Sequence, residues 1–166
     1  MNLRLPRLPA LPLLAACAVL AACSSLEGGR PYHAFELGVA PEAGTVQHLR
    51  WRYGELEGGE KPIAVGSHVP FVLRRQTMPV PDAFEASWQA ADGSWRRVCL
   101  PVRRHVQRGV EGHSLLFWLT ADGAHGEFVT YTPRGDQRER FAAAAARVVD
   151  AAAAQPLAGT CAAAGR

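Results

Sequence analysis

Lysine is nearly missing from this chain: Lys61 stands alone, and the other members of its 18 basic residues are arginines. No apolar stretch reaches the ~20 residues that a membrane-spanning helix needs. The longest, Leu8 to Ala22, is broken by Pro9 and Pro12, which argues against an uncleaved anchor helix. Reactive signatures are also lacking. There is no Gly-x-Ser-x-Gly elbow, no His-Glu-x-x-His, no Cys-x-x-Cys and no phosphate-binding glycine loop. The six histidines (His33, His48, His68, His105, His113 and His125) are scattered one per segment, without close metal-ligand spacing. Ser67 beside His68, and His113 beside Ser114, are poor nucleophile–base pairs, because strand neighbours point to opposite faces. These absences argue against an enzyme, so no catalytic residue, metal ligand or cofactor is assigned. A hydrolase assembled from distant histidines ranks last among the readings.

What is present begins at the N-terminus. Arg4 and Arg7 form a positive region, an apolar segment follows, and Leu20-Ala21-Ala22-Cys23 ends it just before Ser24-Ser25. Small residues before a cut site complete the order of a secretory leader. The four residues ending in Cys23 resemble the lipobox of bacterial lipoproteins. That resemblance implies cleavage after Ala22, a diacylglyceryl thioether on Cys23 and attachment to a membrane. Leu14-Ala15-Ala16-Cys17 repeats the pattern, but cutting there leaves a shorter, proline-broken apolar run, so Cys23 is favoured. Ser24, rather than Asp, after the cysteine resembles lipoproteins sent to the periplasmic face of the outer membrane.

Removing residues 1–22 from the 166 leaves 144, enough for one domain with a hydrophobic core. The leader holds two of the 18 basic residues and none of the 15 acidic ones, so the remainder sits near +1. That balance, in that compartment, argues against nucleic acid as a partner. With Cys23 lipidated, Cys99 and Cys161 remain in the folded part, and an even pair in an oxidising periplasm predicts a disulfide. A buried free Cys99 with a disordered Cys161 is the competing reading.

Residues 23–30 read as a lipidated tether, 31–141 as a β domain and 142–166 as an alanine-rich tail. Tyr32 to Val39 and Val46 to Tyr53 are candidate strands. Gly54 to Gly59 reads as a loop. Another strand is expected around Val69 to Leu73, weakened by Pro70. From Phe84 to Val102, two alternating runs flank Ala91-Asp92-Gly93. Pairing positions that sum to 184 places Phe84, Ala86 and Trp88 opposite Leu100, Val98 and Arg96. The other face then carries Glu85, Ser87 and Gln89 opposite Cys99, Arg97 and Trp95, mostly polar. A one-residue slip would destroy the segregation. Ser114 to Thr120 is nearly all apolar and reads as a central strand buried on both faces. Ala121-Asp122-Gly123 turns the chain into Glu127 to Thr132, and Gln137 to Phe141 follows another turn, Pro133 to Asp136, whose Arg134-Gly135-Asp136 is a turn and nothing more. Ala142 to Ala154 contains nine alanines, whose propensity predicts a short terminal helix, or fraying unless Cys161 pins it.

The fold class that follows is all-β: a small antiparallel sandwich, immunoglobulin-like, with a C-terminal helix. A curled sheet packed on that helix is the alternative. Residues 74–108 carry seven arginines against Asp82, Glu85 and Asp92. Arg96, Arg97, Arg103 and Arg104, with Trp95, are the candidate partner-binding residues, a docking surface for an acidic partner or for anionic headgroups near the membrane, since arginine forks pair with carboxylates and stack on aromatics. A solvated sheet face with core tryptophans explains the same residues without function. Doubled arginines on a strand face opposite ways, so at most half share a surface.

Arg-Tyr-Gly at 52–54, Met-Pro-Val-Pro at 78–81, Ser-Trp-Gln-Ala-Ala-Asp-Gly at 87–93 and Leu-Pro-Val-Arg at 100–103 resemble small proteobacterial lipoproteins. Some of these serve as periplasmic immunity proteins against antibacterial effectors of the type VI secretion system. The resemblance implies a lipid-anchored protein that neutralises a toxin effector by protein contact, with no catalytic residues to carry over. A structural or assembly lipoprotein supporting an outer-membrane complex is the alternative.

Overall fold

Apolar residues at every second position, interrupted by glycine-bearing turns, set the chain up for strands rather than helices. The computed structural model describes residues 29–59, 72–106, 109–152, 157 and 161. The leader, Cys23, most of the tether, positions 60–71 of the expected third-strand region, and Arg108 lie outside the described residues.

Among the described residues ten strands form: β1 Tyr32–Val39, β2 Gln47–Tyr53, β3 Leu56–Gly59, β4 Val72–Thr77, β5 Ala83–Gln89, β6 Trp95–Pro101, β7 Ser114–Leu119, β8 Gly123–Thr130, β9 Gln137–Ala145 and β10 Arg147–Val149. They make two five-stranded sheets, ordered β4-β1-β7-β8-β9 (sheet 1) and β10-β6-β5-β2-β3 (sheet 2). Every neighbouring pair is antiparallel except β1 with β7. The all-β sandwich expected from the sequence is therefore the fold. Its strand order is its own: immunoglobulin constant-type domains keep their first two strands in one sheet, whereas β1 and β2 here lie in different sheets.

The core is the contact between the two inner faces. Phe35, Leu37 and Val39 of β1 and Leu115, Phe117 and Leu119 of β7 pack on Trp51 and Tyr53 of β2, Phe84, Ala86 and Trp88 of β5, and Val98 and Leu100 of β6. Phe35 stacks at 4.7 Å from Tyr53, and Phe117 at 4.6 Å from Phe84, measured between ring centroids. Strand β7 is central and buried on both faces, which is why its sequence is apolar from Leu115 to Leu119, with Ser114 a buried polar residue at its start. Outward-facing Trp118 lies across Gly38 of β1, where any Cβ would overlap the indole ring. Glycine at 38 is thus a condition of the tryptophan's placement.

The β5–β6 hairpin has the register derived from segregation of faces, with Phe84 opposite Leu100 and Gln89 opposite Trp95. Ala90 N–H donates to Ser94 O at 2.9 Å, and Gly93 takes φ +80° in the turn. The face expected to be polar and wet is nevertheless covered: Glu85 is 5% and Ser87 0% exposed.

Two expectations are corrected. Gly54–Gly59 is a two-residue turn followed by strand β3, not a loop. No helix forms from Ala142: β9 runs to Ala145, Ala146 turns the corner and β10 joins the edge of sheet 2. Pro41–Ala43 forms a 3-10 turn. Alanine's helix preference is only a few tenths of a kcal/mol per residue over ordinary residues (~0.2–0.7). Pairing with β8 outweighs it, because Gly123 and Gly126 leave room that side chains would fill. A Cβ on Gly123 would overlap the Ala144 carbonyl, and one on Gly126 the Phe141 ring. Leaving one sheet for the other also closes that side of the sandwich, with Ala146 N–H bonded to Asp122 O at 2.6 Å.

Candidate protein-binding face

The outer face of sheet 2 is built by parity. In β2, Leu49, Trp51 and Tyr53 point into the core, so Arg50 and Arg52 point outward. Arg50 lies opposite Ser87, Ser87 opposite Arg97, and Arg97 opposite Arg147. Three arginines from three strands therefore fall on one line across the sheet. The neighbouring row holds Glu57, Arg52, Glu85 and Cys99, and the row on the other side Gln47, Gln89, Trp95 and Val149.

Glu85 is the anionic centre of this face. Its carboxylate accepts from Arg52 Nη2 at 2.6 Å and from Arg97 Nη2 at 3.4 Å. Glu85 itself is buried, while the Arg52 and Arg97 side chains stay 28% and 16% exposed. Arg147 is exposed and has no ion-pair partner among the described residues. Like charges directly opposite on neighbouring strands destabilise a sheet, so Arg97 facing Arg147 is a cost that an incoming carboxylate would relieve.

The edge of this face is shaped by a β-bulge. The β2–β5 register shifts between Gln47 and Arg50, and His48 adopts φ +50° there. The bulge turns the exposed His48 ring toward Trp95, 6.1 Å away. Bulges commonly re-aim side chains at sites, and this one places a second ring beside the tryptophan at the end of the arginine row.

The five sequence-derived binding residues do not form one surface. Trp95 and Arg97 share the outer face. Arg96 points to the inner side at the hairpin end, donating to Ala121 O and pairing with Asp92 at 3.5 Å. Arg103 and Arg104 follow the far end of β6, about 20 Å from Trp95 at 3.3 Å per residue. There Arg103 donates to Val80 O at 2.9 Å and pairs with Asp82 at 3.2 Å, and Arg104 Nε donates to His105 Nε2 at 3.1 Å. Sequence reasoning missed Arg50, Arg52, Arg147 and His48. The alternation in β2 was a usable signal for the first two. Arg147 was hidden by the helix expectation, and His48 by a bulge that no pattern announces.

Cys99 and Cys161 are joined as a disulfide, with Cα atoms 5.6 Å apart, which ties the tail to the outer face of sheet 2. Other polar groups serve the interior. His33 Nδ1–H donates to Pro31 O, and Tyr53 O–H donates to His33 Nε2, each at 3.0 Å. Burial lowers the His33 pKa and pushes the Tyr53 phenol far above its ordinary value. Burial, then the nearby Arg140, lowers the His125 pKa. An open cleft of about 480 Å³ lies at the Arg103 end, its lining including Pro31, Val80, Val106 and Val110 together with Arg30 and Glu111. Glu111 is engaged there with the Tyr32 N–H at 2.7 Å. Among the described residues, no three His, Cys, Asp or Glu side chains converge as metal ligands.

Comparison with known proteins returns no match from protein-family models, from curated proteins or from solved structures.

Proposed function

We propose that this chain is a lipid-anchored binding protein of the bacterial envelope, held through Cys23 at the periplasmic face of the outer membrane. It neutralises an antibacterial effector by protein–protein contact, through the arginine row on sheet 2. The observation that carries the reading is the juxtaposition of Arg97 and Arg147, with Arg50 on the same line and Glu85 the carboxylate that bonds both Arg52 and Arg97. A cationic row flanked by Trp95 and His48 suits an acidic protein surface: arginine supplies bidentate pairing with carboxylates, and the rings supply packing. The compartment rests on the lipobox-like sequence, and the immunity role on the resemblance of residues 50–140 to such lipoproteins.

The test is co-expression of the full-length chain with the exported effector encoded beside its gene. The Trp95→Ala/Arg147→Glu variant changes side chains on the outer face and leaves the core intact. It is expected to lose protection while remaining folded and membrane-attached. Full protection by that variant overturns the assignment of this face. Envelope defects that appear without any effector would favour the assembly-lipoprotein alternative.

A further inference from the structure

Among the described residues the sandwich has four sheet edges, and three of them are short or interrupted. Strand β3 is four residues long and ends in two glycines, one of them at φ +145°. Strand β10 has three residues. Strand β9 is interrupted by a bulge opposite His125 and Gly126 and runs straight into the other sheet. Short strands, bulges and covered edges are the usual ways of preventing edge-to-edge association.

The fourth edge, β4, has none of these devices. It pairs with β1 over six consecutive residues without a register shift, and its other side has no partner strand among the described residues. Residues 73–77 are all exposed, so the strand stands clear of the sandwich on both faces. Of the four large hydrophobic residues exposed among the described ones, three gather here. Leu73 (52% exposed) pairs with Glu36, and Tyr32 (43%) pairs with Thr77, on the same outer face. Tyr131 (48%) reaches the same place, its hydroxyl donating to Glu36 Oε1 at 2.7 Å.

Charge selects the occupant. Arg74 and Arg75 point to opposite faces of β4, and among the described residues neither meets a carboxylate; Arg74 bonds only its neighbour's carbonyl, Leu73 O. Two copies of this chain meeting edge to edge would bring four arginines together, so self-association along β4 is opposed. We propose that β4 is a recognition edge that takes an extended acidic segment of a partner protein as a sixth strand of sheet 1. Backbone pairing supplies the adhesion, acidic side chains meet Arg74 and Arg75, and an apolar side chain lies against Leu73 and Tyr131. This surface is on the opposite sheet from the arginine row and does not depend on it.

Two ten-residue peptides of alternating valine and threonine, one with two central glutamates and one with two central lysines, serve as probes. Backbone amide hydrogen exchange is followed in the full-length chain in zwitterionic detergent at millimolar peptide. The glutamate peptide is expected to slow exchange of amides within residues 72–77, and the lysine peptide to leave them unchanged. Arg74→Glu/Arg75→Glu should weaken the glutamate peptide about tenfold, as two exposed ion pairs allow, and transfer the preference to the lysine peptide. Protection of β4 by neither peptide, equal protection by both, or protection confined to β3, β9 or β10 overturns the proposal. If the double variant fails to fold, the comparison of the two peptides on the unaltered chain still decides. No effector enters this assay, so its failure and a failure of the arginine-row reading are separate results.

Discussion

Replacing both members of the disulfide, Cys99→Ala/Cys161→Ala, tests how the tail contributes to the fold. The bond closes a loop across a sequence separation of 62. Chain-entropy theory assigns such a loop about 14 cal/mol/K in the unfolded state, or about 4 kcal/mol at 25 °C. In the folded variant the released tail beyond β10 regains freedom, which offsets part of this, so the net loss should be about 2–4 kcal/mol. Against a total of ~5–15 kcal/mol for a domain, that is a large fraction. The assay is urea unfolding of the full-length chain, oxidised, against the variant and against the parent after reduction. Reduced parent and variant should agree, and both should show a larger m-value because the uncrosslinked unfolded chain exposes more surface. A loss below about 1 kcal/mol, with m unchanged, would refute the reasoning and demote the bond to a local attachment.

Glu85→Ala leaves Arg52 and Arg97 without their shared carboxylate. Breaking a buried pair costs ~3–5 kcal/mol, reduced here to about 2–3 because both guanidiniums keep access to water; urea unfolding checks it, and a loss under 0.5 kcal/mol (roughly a twofold change in equilibrium) contradicts it. Adding Arg97→Leu should recover part of that loss. Stability should also fall on acidification from pH 7 to pH 5. His33 and His125 both have lowered pKa values in the folded chain, so the unfolded chain binds protons first as pH drops through the ordinary histidine value of about 6.5. Their contribution is complete above that value and is lost below it, at up to ~1.4 kcal/mol per pH unit for each histidine. Tyr53→Phe removes the O–H donated to His33 Nε2 and should cost about 1–3 kcal/mol at pH 7, as an unpaired buried acceptor does. Thermal melts across this pH range that show no slope would contradict the histidine account.

How much of this was legible in the sequence depends on which force decided each part. The β5–β6 register could be read because one slip exposes Phe84, Ala86 and Trp88 together, a penalty visible from residue types alone. Strand β7 could be read because Leu115 to Leu119 are five consecutive buried apolar residues, where a strand with one wet face would alternate. The alanine segment could not, since its fate rests on Gly123 and Gly126 some twenty residues earlier, which make the slot that β9 occupies. Burial of Glu85 was equally invisible: alternation marks its face as polar, but Arg52 and Arg97 bond its carboxylate from two other strands. The same remoteness explains the site. Counting arginines along residues 74–108 grouped side chains that lie on two sheets and at both ends of β6, while the row that forms draws on β2, β6 and β10.

The measurement that bears most directly on the central claim is viability after deleting this gene in two backgrounds, one with the neighbouring effector intact and one with it inactivated. A tethered neutralising protein predicts death or lysis only in the first, reversed by the full-length chain and not by a Cys23→Ala form retained away from the outer membrane. Normal growth of the deletion beside an active effector would contradict the account.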